Sequence, residues 1–304
     1  MEWENSRESA NVEDMRGASG GGGGGGIQIG GGTGGLGIGV ILILAVIGYF
    51  TGIDPRILIG GAQIVMGNGG NTSSYTAPAP SPVAMQPQQN AQNDPMLVFV
   101  KKILGQTEDV WSQVLPAQKG VAYVAPKLVL YSGSFRSGCG QAQSAMGPFY
   151  CPNDKKVYLD MSFFNDMRSK YGGGGDFAYA YVIAHEIGHH VQDQLGILDK
   201  ADEAKQNASR TQANAISVRI ELMADCLAGV WAANADQKWH VLDPGDVEKA
   251  EATAAAIGDD RLQTAARGYA VPDSFTHGSS ALRQQWLTTG LKSGQIDSCN
   301  TFAN

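Results

Sequence analysis

Three of the five histidines in this 304-residue chain fall within six positions, in His185-Glu186-Ile187-Gly188-His189-His190. On a helix, His185 and His189 are four positions apart and lie about 40° from one another around the axis. Two imidazoles at that spacing can reach one tetrahedral zinc ion from a rigid scaffold. Glu186 lies on the same side, where it can take the proton of a water acidified by the metal. His190 sits further round and is not expected to be a ligand. So short a motif also arises by chance, as a helix with two satisfied histidines. Its setting favours metal chemistry: it falls mid-helix, behind an apolar stripe of Phe177, Ala180, Tyr181 and Ala184.

A zinc site of this kind needs a third protein ligand and one open position. Arg219-Ile220-Glu221-Leu222-Met223-Ala224-Asp225-Cys226 offers Glu221 and Asp225 on one helical face. Like charges four residues apart repel on an isolated helix, and a cation with its imidazoles would reverse that penalty. The expected roles are Glu221 as third ligand and Asp225 as acceptor of a ligand imidazole N–H. A solvated acidic face is the alternative. It fits poorly with Ile216, Ile220, Met223, Leu227, Val230 and Trp231 on the same helix. No histidine follows at the metzincin spacing. An oxyanion would need a further donor. His277 is the first candidate for that catalytic role, with Arg283 and Tyr158 as others, and a plain loop histidine is an equal alternative. His240, beside Trp239, reads as structural or exposed.

The elements that must hold these residues follow from caps and periodicity. Asp176 caps a helix over 176–194 that stops at Gly196. Further helices run over 210–236, from Asp243-Pro244, and from Ser279 or Ser280. Residues 94–115 read as helix in two pieces broken near Gly105, and 161–171 as a short helix. Residues 127–131, 148–151 and 156–160 read as strands, the last two joined by a Pro-Asn-Asp turn. The strand over 157–160 is expected at a sheet edge, open to an extended peptide. The fold class is therefore α+β: mostly helical with a small antiparallel or mixed sheet, preceded by one transmembrane helix.

Composition divides the chain. Of its 41 glycines, 15 lie between Gly17 and Gly39, so residues 1–34 are expected to be disordered. Residues 35–53 hold an uncharged apolar run long enough to cross a bilayer. A cleaved signal peptide fits less well, because over 30 residues precede the run and no small-x-small cleavage site follows. Residues 54–93, rich in Pro, Ala, Asn and Gln, read as a tether, and 94–304 as the metallopeptidase domain. Arg7 and Arg16 before the run and Arg56 after it favour a cytoplasmic N-terminus and a periplasmic or extracellular domain. Cys139, Cys151, Cys226 and Cys299 all follow the run. Outside the cytoplasm they would form disulfides, in one of three pairings. Cys139 with Cys151 would close a short loop, and Cys226 with Cys299 would pin the C-terminal tail to a helix. Cys226 as a buried thiol is the alternative. The net charge of −7, without a Lys/Arg run, excludes an electrostatic footprint for nucleic acid.

Taken together, these residues resemble the bacterial putative neutral zinc metallopeptidase family. The resemblance rests on Arg7-Glu8-Ser9 with Asn11-Val12-Glu13-Asp14, the Gly-rich stretch before one anchor, and Ser137-Gly138-Cys139-Gly140. It continues through Gly147-Pro148-Phe149-Tyr150-Cys151-Pro152, His185 to Gln192, Glu221 to Cys226, and Thr276-His277-Gly278-Ser279-Ser280. It implies a membrane-anchored zincin of gluzincin type, and says little about substrate. The expected function is zinc-dependent hydrolysis of peptide or protein substrates with Glu186 as general base. A catalytically silent zinc scaffold and an amide hydrolase of cell-wall peptides are the other readings. Glu186 argues against the first of these, since zinc binding alone does not need it.

Overall fold

The computed structural model describes residues 1–17, 94–170 and 174–303. These belong to one compact unit. The expected anchor at 35–53 and the tether at 54–93 lie outside the described residues. Among the described residues no helix is long and apolar enough to cross a membrane.

The architecture is α+β, mostly helical. In chain order the elements are β1 (Val12–Asp14), α1 (Pro95–Lys119), β2 (Lys127–Tyr131), β3 (Ser134–Ser137), β4 (Gly140–Gln143), β5 (Phe149–Cys151) and β6 (Lys156–Asp160). Helices α2 (Ser162–Lys170), α3 (Asp176–Gln194), α4 (Ile197–Gln206), α5 (Arg210–Trp239), α6 (Asp246–Ala256), α7 (Asp259–Arg267) and α8 (Ser280–Ser293) follow. The main sheet has the order β1-β2-β6-β5, the first two pairings parallel and the last antiparallel. β3 and β4 form a separate hairpin.

The helix that carries His185 and His189, α3, is buried along almost its whole length, from Phe177 to Val191. It packs against α1, α5 and α6, with Phe177 stacked on Trp231 of α5. Burial on nearly all sides explains why its apolar residues do not form a single clean stripe. Asp176 lies in its first turn, not at the cap, and accepts the indole N–H of Trp3 at 2.8 Å.

The expected edge strand is corrected here. β6 lies between β2 and β5, and the edge strands are β1 and β5, of which β5 lies beside the cleft described below. Alternating sequence identifies a strand, whereas its place in the sheet depends on partners remote in sequence.

Residues 1–17 depart from the disorder expected for 1–34. β1 extends the sheet in register with β2, Val12 opposite Leu128. Buried Glu108 of α1 accepts from Arg7 at 2.7 Å, Ser9 at 2.5 Å and Asn11 at 2.8 Å. This stretch has too little apolar surface to fold alone, but it completes a sheet and satisfies a carboxylate that the domain already holds. The same contact corrects the break expected at Gly105. α1 is continuous there, and a Cβ on Gly105 would stand 2.5 Å from the Arg7 carbonyl oxygen. Glycine serves close approach at this position. Gly105→Ala is expected to destabilise the fold by about 1–3 kcal/mol, read as a lower urea midpoint. An unchanged midpoint would mean that Arg7 does not lie against α1 in solution.

Two disulfides are formed, Cys139–Cys151 and Cys226–Cys299. The first ties the β3–β4 turn to β5, and the second ties α5 to the C-terminal turn over 296–299.

Candidate metal centre

α3 and α5 cross so that His185, His189 and Glu221 bring one ligand atom each to a common point, all within 4.8 Å of one another. His185 Nε2 lies 3.2 Å from one Glu221 oxygen, and His189 Nε2 lies 3.5 Å from the other. Donors bound to tetrahedral zinc at about 2.0–2.2 Å stand about 3.4 Å apart. The two imidazole–carboxylate separations are close to that value, and two imidazoles with a carboxylate suit zinc chemically.

Both rings are held from behind. His185 Nδ1 meets Asp225 Oδ1 at 2.8 Å, and His189 Nδ1 meets Gln192 Oε1 at 2.8 Å. With Nδ1 held by its partner, each ring turns Nε2 towards Glu221, where a zinc ion would take the place of any proton on that nitrogen. The Gln192 amide in turn donates to the Ile220 carbonyl at 2.7 Å, which locks it between α3 and α5. Gln192 was not assigned a role from sequence, and its signal there is the three-residue offset from His189.

The local electrostatics favour a cation. Burial alone would lower the His185 pKa, but the Asp225 and Glu221 carboxylates outweigh it and push it up to about 10. Burial would raise that of Glu221, yet His189 and His185 hold it well below the usual carboxylate range.

Glu186 is 7 % exposed. Burial pushes its carboxyl up, His185 and His189 pull against that, and the backbone N–H of Tyr150 donates to it. The side chain thus joins α3 to Tyr150 of β5. His190 points elsewhere. It meets the Tyr150 hydroxyl at 3.0 Å and the Val124 carbonyl at 2.6 Å, steadying β5.

His185, Glu186, His189 and Glu221 line a cleft of about 550 Å³, within the range of small-ligand and substrate sites. Met146 and Leu262, both exposed apolar side chains, form part of its walls. His277 also lines it, with its side chain 54 % exposed. One oxygen of Asp259 accepts the backbone N–H groups of Thr276, His277 and Gly278, and the other lies 3.4 Å from His277 Nδ1. That contact with Asp259 raises the His277 pKa.

The other two oxyanion candidates have partners of their own, although Arg283 also lines the cleft. The Tyr158 hydroxyl donates to Asp154 at 2.6 Å, within a second core cluster away from the cleft. The Arg283 guanidinium is committed to Asp225, at 2.8 and 2.9 Å. His240 caps the C-terminus of α5 in a left-handed conformation, away from the metal centre.

A family model described as putative neutral zinc metallopeptidase matches residues 1–302. The chain belongs to that family. It is 45 % identical over 302 residues to the uncharacterized protein YpfJ of Escherichia coli (strain K12), across 99 % of each chain. It is 43 % identical over 204 residues to the uncharacterized protein Rv2575 of Mycobacterium tuberculosis (strain ATCC 25618 / H37Rv), covering 64 % of this chain and 66 % of that one. No solved structure matches it. The matched residues include the docked N-terminal strand, β1.

Proposed function

We propose that this family member is a zinc-dependent metallopeptidase that hydrolyses peptide bonds in extended substrates. The observation that carries the reading is the His185, His189 and Glu221 triad at ligand spacing, with Glu186 beside it in the same cleft. Zinc in that place supplies a Lewis acid for water and for a carbonyl oxygen. Glu186 accepts the proton of the attacking water and carries it to the departing amine. The open edge of β5 offers backbone groups to an extended peptide. His277, oriented by Asp259, donates to the oxyanion that develops on the scissile carbonyl. The two disulfides support a domain in an oxidising compartment outside the cytoplasm, held at the membrane through residues 35–53.

The test is made on the full-length chain in detergent. It is expected to retain zinc on purification and to cleave an unstructured protein. A chelator should abolish cleavage, and added zinc should restore it. A zinc-loaded chain inert across a broad peptide library would point to the scaffold instead. His277→Ala is expected to lower kcat by about 10²–10³ with zinc content unchanged. An unaltered kcat would remove His277 from the reaction.

A further inference from the structure

We propose that Arg283 is a positioning residue of the zinc centre, acting through Asp225 on His185. The proposal rests on the reading of His185, His189 and Glu221 as zinc ligands. Asp225 is fully buried. Its Oδ1 accepts from the Tyr181 hydroxyl at 2.6 Å, from His185 Nδ1 at 2.8 Å and from Arg283 Nη2 at 2.9 Å, and its Oδ2 accepts from Arg283 Nε at 2.8 Å. The guanidinium therefore grips both carboxylate oxygens in a planar fork. Its Nη2 also reaches the Tyr181 hydroxyl at 3.2 Å, and Nη1 the Ile257 carbonyl at 3.4 Å.

The charge balance shows why such a partner is needed. A lone carboxylate buried this deeply is costly and would take a proton or turn away. With the fork in place, the carboxylate keeps its charge and its angle. It can then accept the His185 N–H in the one ring orientation that turns Nε2 towards Glu221. Lysine retains the charge but cannot reproduce the two-point geometry.

The experiment measures zinc affinity by competition with a chelating dye, and the visible spectrum of the cobalt-substituted full-length chain. Arg283→Met and Arg283→Lys are compared with wild type. Loss of an outer partner of a ligand costs about 10–100-fold in metal affinity. Arg283→Met is expected to fall in that range with an altered cobalt spectrum, and Arg283→Lys to lie between it and wild type. Asp225→Asn should cost less in the Arg283→Met background than alone, because the two act as one unit. If Arg283→Met does not fold, Arg283→Lys and Tyr181→Phe carry the comparison. Folded variants with wild-type affinity and spectrum would overturn the role of Arg283 while leaving the zinc centre intact. A wild-type chain that binds no metal would overturn the centre itself.

A separate observation carries a second inference: the N-terminal segment and the metal centre lie on the same side of any membrane the chain enters. β1 is paired with β2 inside the domain. Arg16 reaches Asp94 at 2.6 Å, so the two ends of the stretch between them meet at one place. With both ends held in the domain, the N-terminal segment is assigned to the domain's own side, in place of the opposite side that Arg7, Arg16 and Arg56 lead one to expect. Exposed Glu2 and Gln237, changed singly to Cys in the full chain, are tested with a membrane-impermeant maleimide on spheroplasts and on lysed cells. Equal labelling of the two in each preparation is expected. Labelling of Gln237→Cys alone in intact spheroplasts would overturn the inference.

Discussion

Glu186→Gln is expected to leave zinc bound and to lower kcat for peptide hydrolysis by a factor of about 10²–10⁴. The amide matches the carboxylate in size, and its oxygen can still accept the Tyr150 N–H that places the native side chain. What it loses is the capacity to take a proton from water and pass it on. None of the three ligand atoms is touched, so metal content should match wild type. Glu221→Ala gives the contrasting outcome. It removes one of three donors and leaves His185 and His189 facing no carboxylate, so zinc is lost together with activity. Metal analysis and steady-state kinetics on the two variants separate binding from turnover. Glu186→Gln at full activity would assign the base elsewhere, and its loss of zinc would show that Glu186 supports the centre structurally.

The parts of this site that were legible in sequence are those fixed by helical geometry. His185, Glu186 and His189 occupy one helix, and Glu221 with Asp225 another, so spacing alone places each set on one face. That the two faces meet follows chemically, because each set needs the other. Gln192 and Arg283 were less accessible for different reasons. Gln192 acts through a local offset that carries no distinctive residue type. Arg283 reaches Asp225 across 58 positions, and neither periodicity nor composition encodes that meeting. The same holds for the sheet: residues 127–131 and 156–160 declare themselves as strands, but the order β1-β2-β6-β5 does not. β1 is only three residues long and precedes a glycine-rich run. Its strand character comes from the sheet waiting for it, not from its own propensity.

Gly290→Ala is expected to destabilise the domain by about 3 kcal/mol and to weaken zinc binding as well. A Cβ on Gly290 would stand 1.9 Å from the Cys226 carbonyl oxygen, and one on Gly229 would stand 2.3 Å from that of Leu287. α5 and α8 therefore touch backbone to backbone, closer than any residue with a side chain allows. The Cys226–Cys299 disulfide fastens the same region of α5 to the turn that follows α8. This approach is what brings Arg283, near the start of α8, to Asp225, one residue before Cys226. A methyl group at Gly290 must push the helices apart, and the fork at 2.8 and 2.9 Å has no slack to follow. A urea titration of the zinc-free chain reads the packing loss, and chelator competition at low urea reads the metal. A loss of stability with unchanged zinc affinity would show that Arg283 and Asp225 stay together without the close helix contact. A loss of both ties the packing of two glycines to the angle of His185.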